Sequence, residues 1–125
     1  MVLVDTSVWV AHFRHNNPYL GHLLSNDLVL THPFILFEIA CGSPPSPRKQ
    51  TLAFLATLQK ANIASTTEVM NFIESHDLYE SGCGAIDISL LASALLTPNA
   101  KLWTLDKKLH SLAKKTGVEF VPLVQ

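Results

Sequence analysis

Cysteine and charge are both scarce in this chain. Only Cys41 and Cys83 occur among 125 residues, with no C-x-x-C spacing, so neither a disulfide framework nor a Cys-His zinc set is expected, and both read as reduced packing residues without chemistry. Charged residues are only 15% of the chain, which excludes the polar, charge-rich composition of a disordered segment. No run of about 18 apolar residues is present, so no segment reads as a membrane span. The opening Met1-Val2-Leu3-Val4-Asp5 lacks a basic leader region, and Asp5 interrupts its apolar run; export is not expected, and a cytoplasmic location is. Internal repeats are absent. Lys and Arg are missing from residues 61 to 100, whereas Lys101, Lys107, Lys108, Lys114 and Lys115 crowd the last quarter against only Asp106 and Glu119.

What is present is apolar, at 48% of the chain. The length suits one domain spanning 1–125, large enough to bury roughly two-thirds of the surface an unfolded chain exposes. Val2-Leu3-Val4 reads as a buried strand that passes through Asp5-Thr6-Ser7 into a helix carrying Trp9 and Phe13. Leu28 to Leu30 is a second strand, and Pro33 suits the first position of a helix through Cys41, stopped at Gly42. Ser43 to Pro47 is a loop, with Ser46 as cap and Pro47 as first residue of a helix through Lys60.

Further along, Ala61 to Ser65 reads as a short strand, followed by a helix with Val69, Phe72 and Ile73 on one face. Residues Ile86 to Leu96 are apolar nearly all round, which predicts a helix covered on all sides, with Ser89, Ser93 and Thr97 its only polar stripe. Lys101 to Leu105 is another strand, Asp106 begins a helix over 107–116, and Val118 to Val121 closes as a last strand. Alternating strands and helices predict an α/β fold with a parallel sheet covered on both faces. Such sheets bind ligands at the carboxyl ends of their strands, where Asp5 and Asp106 fall.

Asp5, Asp87 and Asp106 each stand where a helix begins, and each has an ordinary capping explanation. Glu38 is different. Apolar residues surround it in sequence, no Lys or Arg lies within nine residues, and a buried carboxylate without a partner is disfavoured. A convergence of the four acids on a hard cation, Mg²⁺ or Mn²⁺, accounts for all of them, and such an ion promotes phosphodiester hydrolysis.

These residues also carry a resemblance. Val4-Asp5-Thr6-Ser7-Val8-Trp9, Glu38 in the third helix, Asp87 ahead of Leu90-Leu91-Ala92-Ser93-Ala94, and Leu102-Trp103-Thr104-Leu105-Asp106 together resemble the PIN-domain family over essentially the whole chain. Within it the chain is similar to the VapC-type toxins of bacterial toxin–antitoxin pairs. The resemblance implies a three-layer α/β/α domain with a short, mostly parallel central sheet. It further implies a Mg²⁺- or Mn²⁺-dependent endoribonuclease that cuts structured RNA, a transfer RNA or a ribosomal RNA. The implied acidic set for catalysis and metal binding is Asp5, Glu38, Asp87 and Asp106, with Thr6, Ser7 and Thr104 as polar support. A homodimer and a VapB-type antitoxin that silences the site are implied as well. Family members with a further acid near the fourth differ here, since Lys107 and Lys108 follow Asp106, which leaves the count of metals open.

The final helix places Lys107, Lys108, Lys114 and Lys115 opposite Leu109, Leu112 and Ala113. It reads first as a solvated face and second, through Lys107 and Lys108, as a place for RNA phosphates. His12, His15 and His22 read as surface histidines, and Trp9, Phe34, Phe37 and Trp103 as core rather than as stacking platforms. Two other functions stay open: a phosphatase with Asp5 as nucleophile, although Ser7 stands where a second Asp is usual, and a non-catalytic module that binds RNA or protein.

Overall fold

The structure is a computed structural model and describes residues 1–123. The chain runs β1 (Val2–Val4), α1 (Thr6–Arg14), α2 (Pro18–Ser25), β2 (Val29–Thr31), α3 (Pro33–Cys41), α4 (Arg48–Ala56), β3 (Gln59–Lys60), α5 (Thr66–Ser75), α6 (Ala85–Leu96), β4 (Lys101–Trp103) and α7 (Lys107–Lys115). The four strands form one sheet in the order β3-β2-β1-β4, and every neighbouring pair is parallel. This is the α/β architecture expected for a PIN-like domain.

That order has a physical consequence. From β1 the chain steps outward to β2 and then β3, and β4 then lands on the opposite side of β1. Right-handed crossovers put the helices of the outward steps on one face of the sheet and those of the return step on the other. The helix contacts sort the same way, with α1 on α3 and α3 on α4 in one group, and α5 on α6 and α6 on α7 in the other. The direction of winding reverses between β1 and β4, and a crevice opens beyond the carboxyl ends of strands at such a point.

Short strands suffice because they are buried on both faces. Leu3, Leu30 and Leu102 are completely or almost completely buried, and each such side chain contributes about 1.5–3 kcal/mol relative to exposure. Helix α6 buries Ile88, Leu90, Leu91, Ala92, Ser93 and Ala94, but the expected cover on all sides does not reach its end, where Leu95 and Leu96 are exposed. Its polar stripe is satisfied inside. Ser93 Oγ accepts from the Ala64 amide at 3.1 Å and lies 3.1 Å from His32 Nε2. Because His32 Nδ1 accepts from the Phe34 amide at 3.0 Å, the proton of the neutral ring sits on Nε2 and is donated to Ser93. His32 thus caps α3 and bolts the end of β2 to α6. Burial holds its pKa below the usual histidine value.

Several local expectations are corrected. Helix α4 stops at Ala56, where Thr57 turns back with its amide and its hydroxyl both on Phe54 O; Gln59–Lys60 is therefore free to pair with β2, and the third strand precedes Ala61. At the start of α4, Pro47 rather than Ser46 occupies the cap position, and no side chain caps the helix. Helix α2 was not expected, although Asn17 caps it through Oδ1 to the Tyr19 and Leu20 amides and Pro18 opens it. Residues Val118 to Val121 form only an isolated bridge, Leu102 to Glu119. Trp9 and Trp103 are core, but Phe34 and Phe37 are exposed, Phe37 by 65%, and Cys41 is exposed too.

Candidate active site

Asp5 follows the last residue of β1 and is only 5% exposed. Three donors meet on its Oδ2: the Ser7 amide at 3.4 Å, which caps α1, Ser7 Oγ at 2.7 Å and Thr104 Oγ1 at 2.8 Å. Each hydroxyl also accepts, Ser7 Oγ from the Leu105 amide at 3.0 Å and Thr104 Oγ1 from the Asp106 amide at 3.1 Å. The carboxyl ends of β1 and β4 are joined through these hydroxyls. Oδ1 receives no hydrogen bond among the described residues and is the oxygen left for a ligand.

Glu38 comes from the middle of α3 and is half-buried, so its expected full burial is corrected. Its partner is neutral: Thr6 Oγ1 donates to Oε1 at 2.7 Å. Asp106 is a genuine N-cap, with Oδ1 accepting from the Leu109 amide at 2.9 Å, and its side chain is exposed at the rim. Asp87 is not a cap. Gly84 holds that position, and Asp87 sits within the first turn of α6.

The electrostatics of Asp87 bring the four acids to one place. Its pKa is pushed up to about 6, first by burial and then by the negative charges of Asp5, Asp106 and Glu38. Among the described residues, the influences on it are burial and these three acids. Thr6, Ser7 and Thr104 therefore all touch the acids, while Lys107 and Lys108 lie exposed on the first turn of α7, beside Asp106.

Among the described residues, no group of three or more His, Cys, Asp or Glu side chains is placed so that it could hold a metal ion. The donor set nevertheless fits a hard divalent ion. All available atoms are carboxylate oxygens, and Mg²⁺ keeps several waters and needs only one or two direct carboxylates.

The remaining candidates fall elsewhere. His12 Nδ1 accepts from the Asn17 amide at 2.9 Å and fixes the turn between α1 and α2. Two groups escaped sequence reasoning. Arg14 lines, with Val10, Phe13, Glu38, Ile39 and Pro44, a cavity of about 510 Å³ that includes one of the four acids, Glu38; nothing in the local pattern singled it out. Gly82 packs directly against Lys108, and the Gly-Cys-Gly stretch was its only signal.

A doubly covered parallel sheet that gathers four acids at its reversal point defines a PIN-like α/β domain with an acidic centre. No family model matches the chain. It is 38% identical over 118 residues to Ribonuclease VapC32 of Mycobacterium tuberculosis, both in strain CDC 1551 / Oshkosh and in strain ATCC 25618 / H37Rv, with 94% of each chain covered. The chain belongs to the VapC family.

Proposed function

We propose that this protein is a Mg²⁺- or Mn²⁺-dependent endoribonuclease toxin that hydrolyses phosphodiester bonds in structured RNA, a transfer RNA or a ribosomal RNA. What supports the proposal is that Asp5, Asp106 and Glu38 all add to burial in raising the pKa of Asp87, while hydroxyls hold one oxygen of Asp5 and one of Glu38. The likeness to a relative named as a ribonuclease points the same way.

Asp5 and Asp87 would hold the ion most directly, with Glu38 and Asp106 completing its shell directly or through water. When bound, the ion stabilises charge on phosphoryl oxygens and makes water easier to deprotonate. The chain's own residues do the positioning. Ser7 and Thr104 fix Oδ2 of Asp5 and leave Oδ1 aimed at the ligand. Thr6 does the same for Glu38, holding Oε1 and leaving Oε2. Asp106, with Oδ1 committed to the α7 cap, retains Oδ2 at the rim to orient the attacking water.

In this reading the protein acts in the cytoplasm as a homodimer and is silenced by a cognate VapB-type antitoxin. No helix among the described residues is long and apolar enough to cross a membrane. The test is cleavage of a panel of cellular RNAs by protein purified free of antitoxin. Cuts at few positions are expected in Mg²⁺, with none in excess EDTA or with Asp5→Asn. Equal cleavage with and without EDTA would overturn the metal-dependent mechanism. No cleavage at all, together with no Mn²⁺ binding by calorimetry, would favour a non-catalytic binding module.

A further inference from the structure

Four carboxylates repel a polyanion, so an RNA that brings a phosphate among them needs a cation at the rim that is not already spent on the acids. Two neighbouring lysines offer themselves. Successive residues of a helix point about 100° apart, so Lys107 and Lys108 cannot both face the same loop. It is Lys108 that turns to the segment leading into α6. A Cβ built on Gly82 would stand 2.9 Å from Lys108 Cδ, 3.2 Å from Cε and 3.1 Å from Nζ. The lysine stem therefore lies flat across the bare Cα of Gly82. Gly82 has φ +86°, a conformation that side chains disfavour, so the turn favours the glycine, and a side chain there would also push the flexible end of Lys108 aside.

Lys108 lies in the first turn of α7, two residues after its cap Asp106, and Gly82 lies in the segment that leads into the first turn of α6, where Asp87 sits. The contact with Gly82 therefore sets the lysine beside the two helix starts that carry these acids. At Cys83, next to Gly82, burial raises the thiol pKa most, Asp87 and Asp106 add to that, and Lys108 works against them.

We infer that Lys108, laid across Gly82, binds a backbone phosphate of the RNA next to the one positioned at the acids, and that Lys107 does not share this role. The inference rests on the endoribonuclease reading for its substrate class. Lys108 is a substrate-positioning residue, and Gly82 positions Lys108.

The experiment measures binding of a short labelled RNA hairpin to Asp5→Asn protein in EDTA over a range of salt, so that no cleavage intervenes. Lys108→Gln is expected to weaken binding roughly tenfold or more, as for loss of a charged hydrogen bond, and to lower the slope of log affinity against log salt by about 0.9, the value for one phosphate contact. Lys107→Gln should leave the slope unchanged, and Lys108→Arg should preserve it. Gly82→Ala, which keeps every charge but displaces the lysine, should reproduce the loss while circular dichroism shows a folded protein. An unchanged slope for Lys108→Gln, or equal losses for the two lysines, would overturn the inference. If the slope depends on Lys108 but the wild type cuts no RNA in Mg²⁺, the nuclease reading fails while the phosphate site stands. Cleavage by the wild type with a slope indifferent to Lys108 refutes the phosphate site alone.

Discussion

Thr104 donates its hydroxyl proton to Oδ2 of Asp5 at 2.8 Å, across 99 positions of sequence. The same oxygen of Thr104 receives the Asp106 amide, so one buried hydroxyl orients the first acid of the site and the backbone that carries the last. Replacing it with valine keeps the shape and removes both bonds. Thr104→Val is expected to cost about 1–3 kcal/mol in stability, the cost of buried polar groups left without partners. It should also weaken Mn²⁺ binding roughly 10–100-fold, as loss of a ligand-orienting group does. Urea unfolding and calorimetric titration read the two effects separately.

Asp87 makes stability depend on pH in an unusual direction. Its carboxyl has a higher pKa in the folded chain, about 6, than the ordinary aspartate value of 3.8, so between these values the native state holds a proton that the unfolded state has already released. Stability from this group is present below about pH 4, falls as pH rises towards 6, and stays low above it. Asp87→Asn should remove that fall and raise the melting temperature of metal-free protein at pH 7.5. A variant that melts below wild type there would show that the acids do not repel one another as described.

Metal and protonation relieve the same repulsion, so metal should stabilise the fold. An ion that binds only the native chain adds about 2.7 kcal/mol at a concentration 100 times its Kd. Melting of the wild type should rise with Mg²⁺ or Mn²⁺ and return on addition of EDTA. Asp5→Asn should flatten that response. A wild-type melting temperature indifferent to millimolar Mn²⁺ would count against the assigned ligands.

His32 titrates the other way. Burial lowers its folded pKa, so the neutral ring's contribution is present above the ordinary histidine value of about 6.5 and is lost as pH falls through the lower folded value. His32→Ala removes a helix cap and leaves Ser93 with one partner fewer, which should cost about 1–3 kcal/mol. Denaturant melts at pH 7.5 and pH 5 should show wild type and variant drawing closer at the lower pH.

The acids were legible in the sequence because each stands at a local boundary that residues nearby announce: Val2 to Val4 before Asp5, Lys101 to Trp103 before Asp106, and the Gly-rich turn before Asp87. Glu38 was legible for a different reason, as a charge in an apolar helix. Its remedy was not foreseen, since Thr6 lies 32 residues away and belongs to a different element. The displaced third strand turned on Thr57, whose capping hydroxyl ended α4 early where leucine spacing suggested that it continued. Phe34 and Phe37 were placed in the core because α3 is apolar on every side; which side a neighbour covers is decided by tertiary packing, which periodicity does not report. Ser7 and Thr104 were named as polar support through the resemblance, but their bonds to one oxygen of Asp5 depend on the β1–β4 pairing.

The neighbouring of the first strand and the fourth also sets an order in time. A ribosome makes Asp5 before Thr104 and Asp106, with 99 positions of chain between Asp5 and Thr104. The growing chain carries an unfinished centre, with Oδ2 of Asp5 lacking its long-range donor and the rim acid not yet added. Contacts between distant parts of a chain also form slowly, because the intervening loop must close first. The complete arrangement of acids therefore waits until the chain has been made through Asp106 and α7.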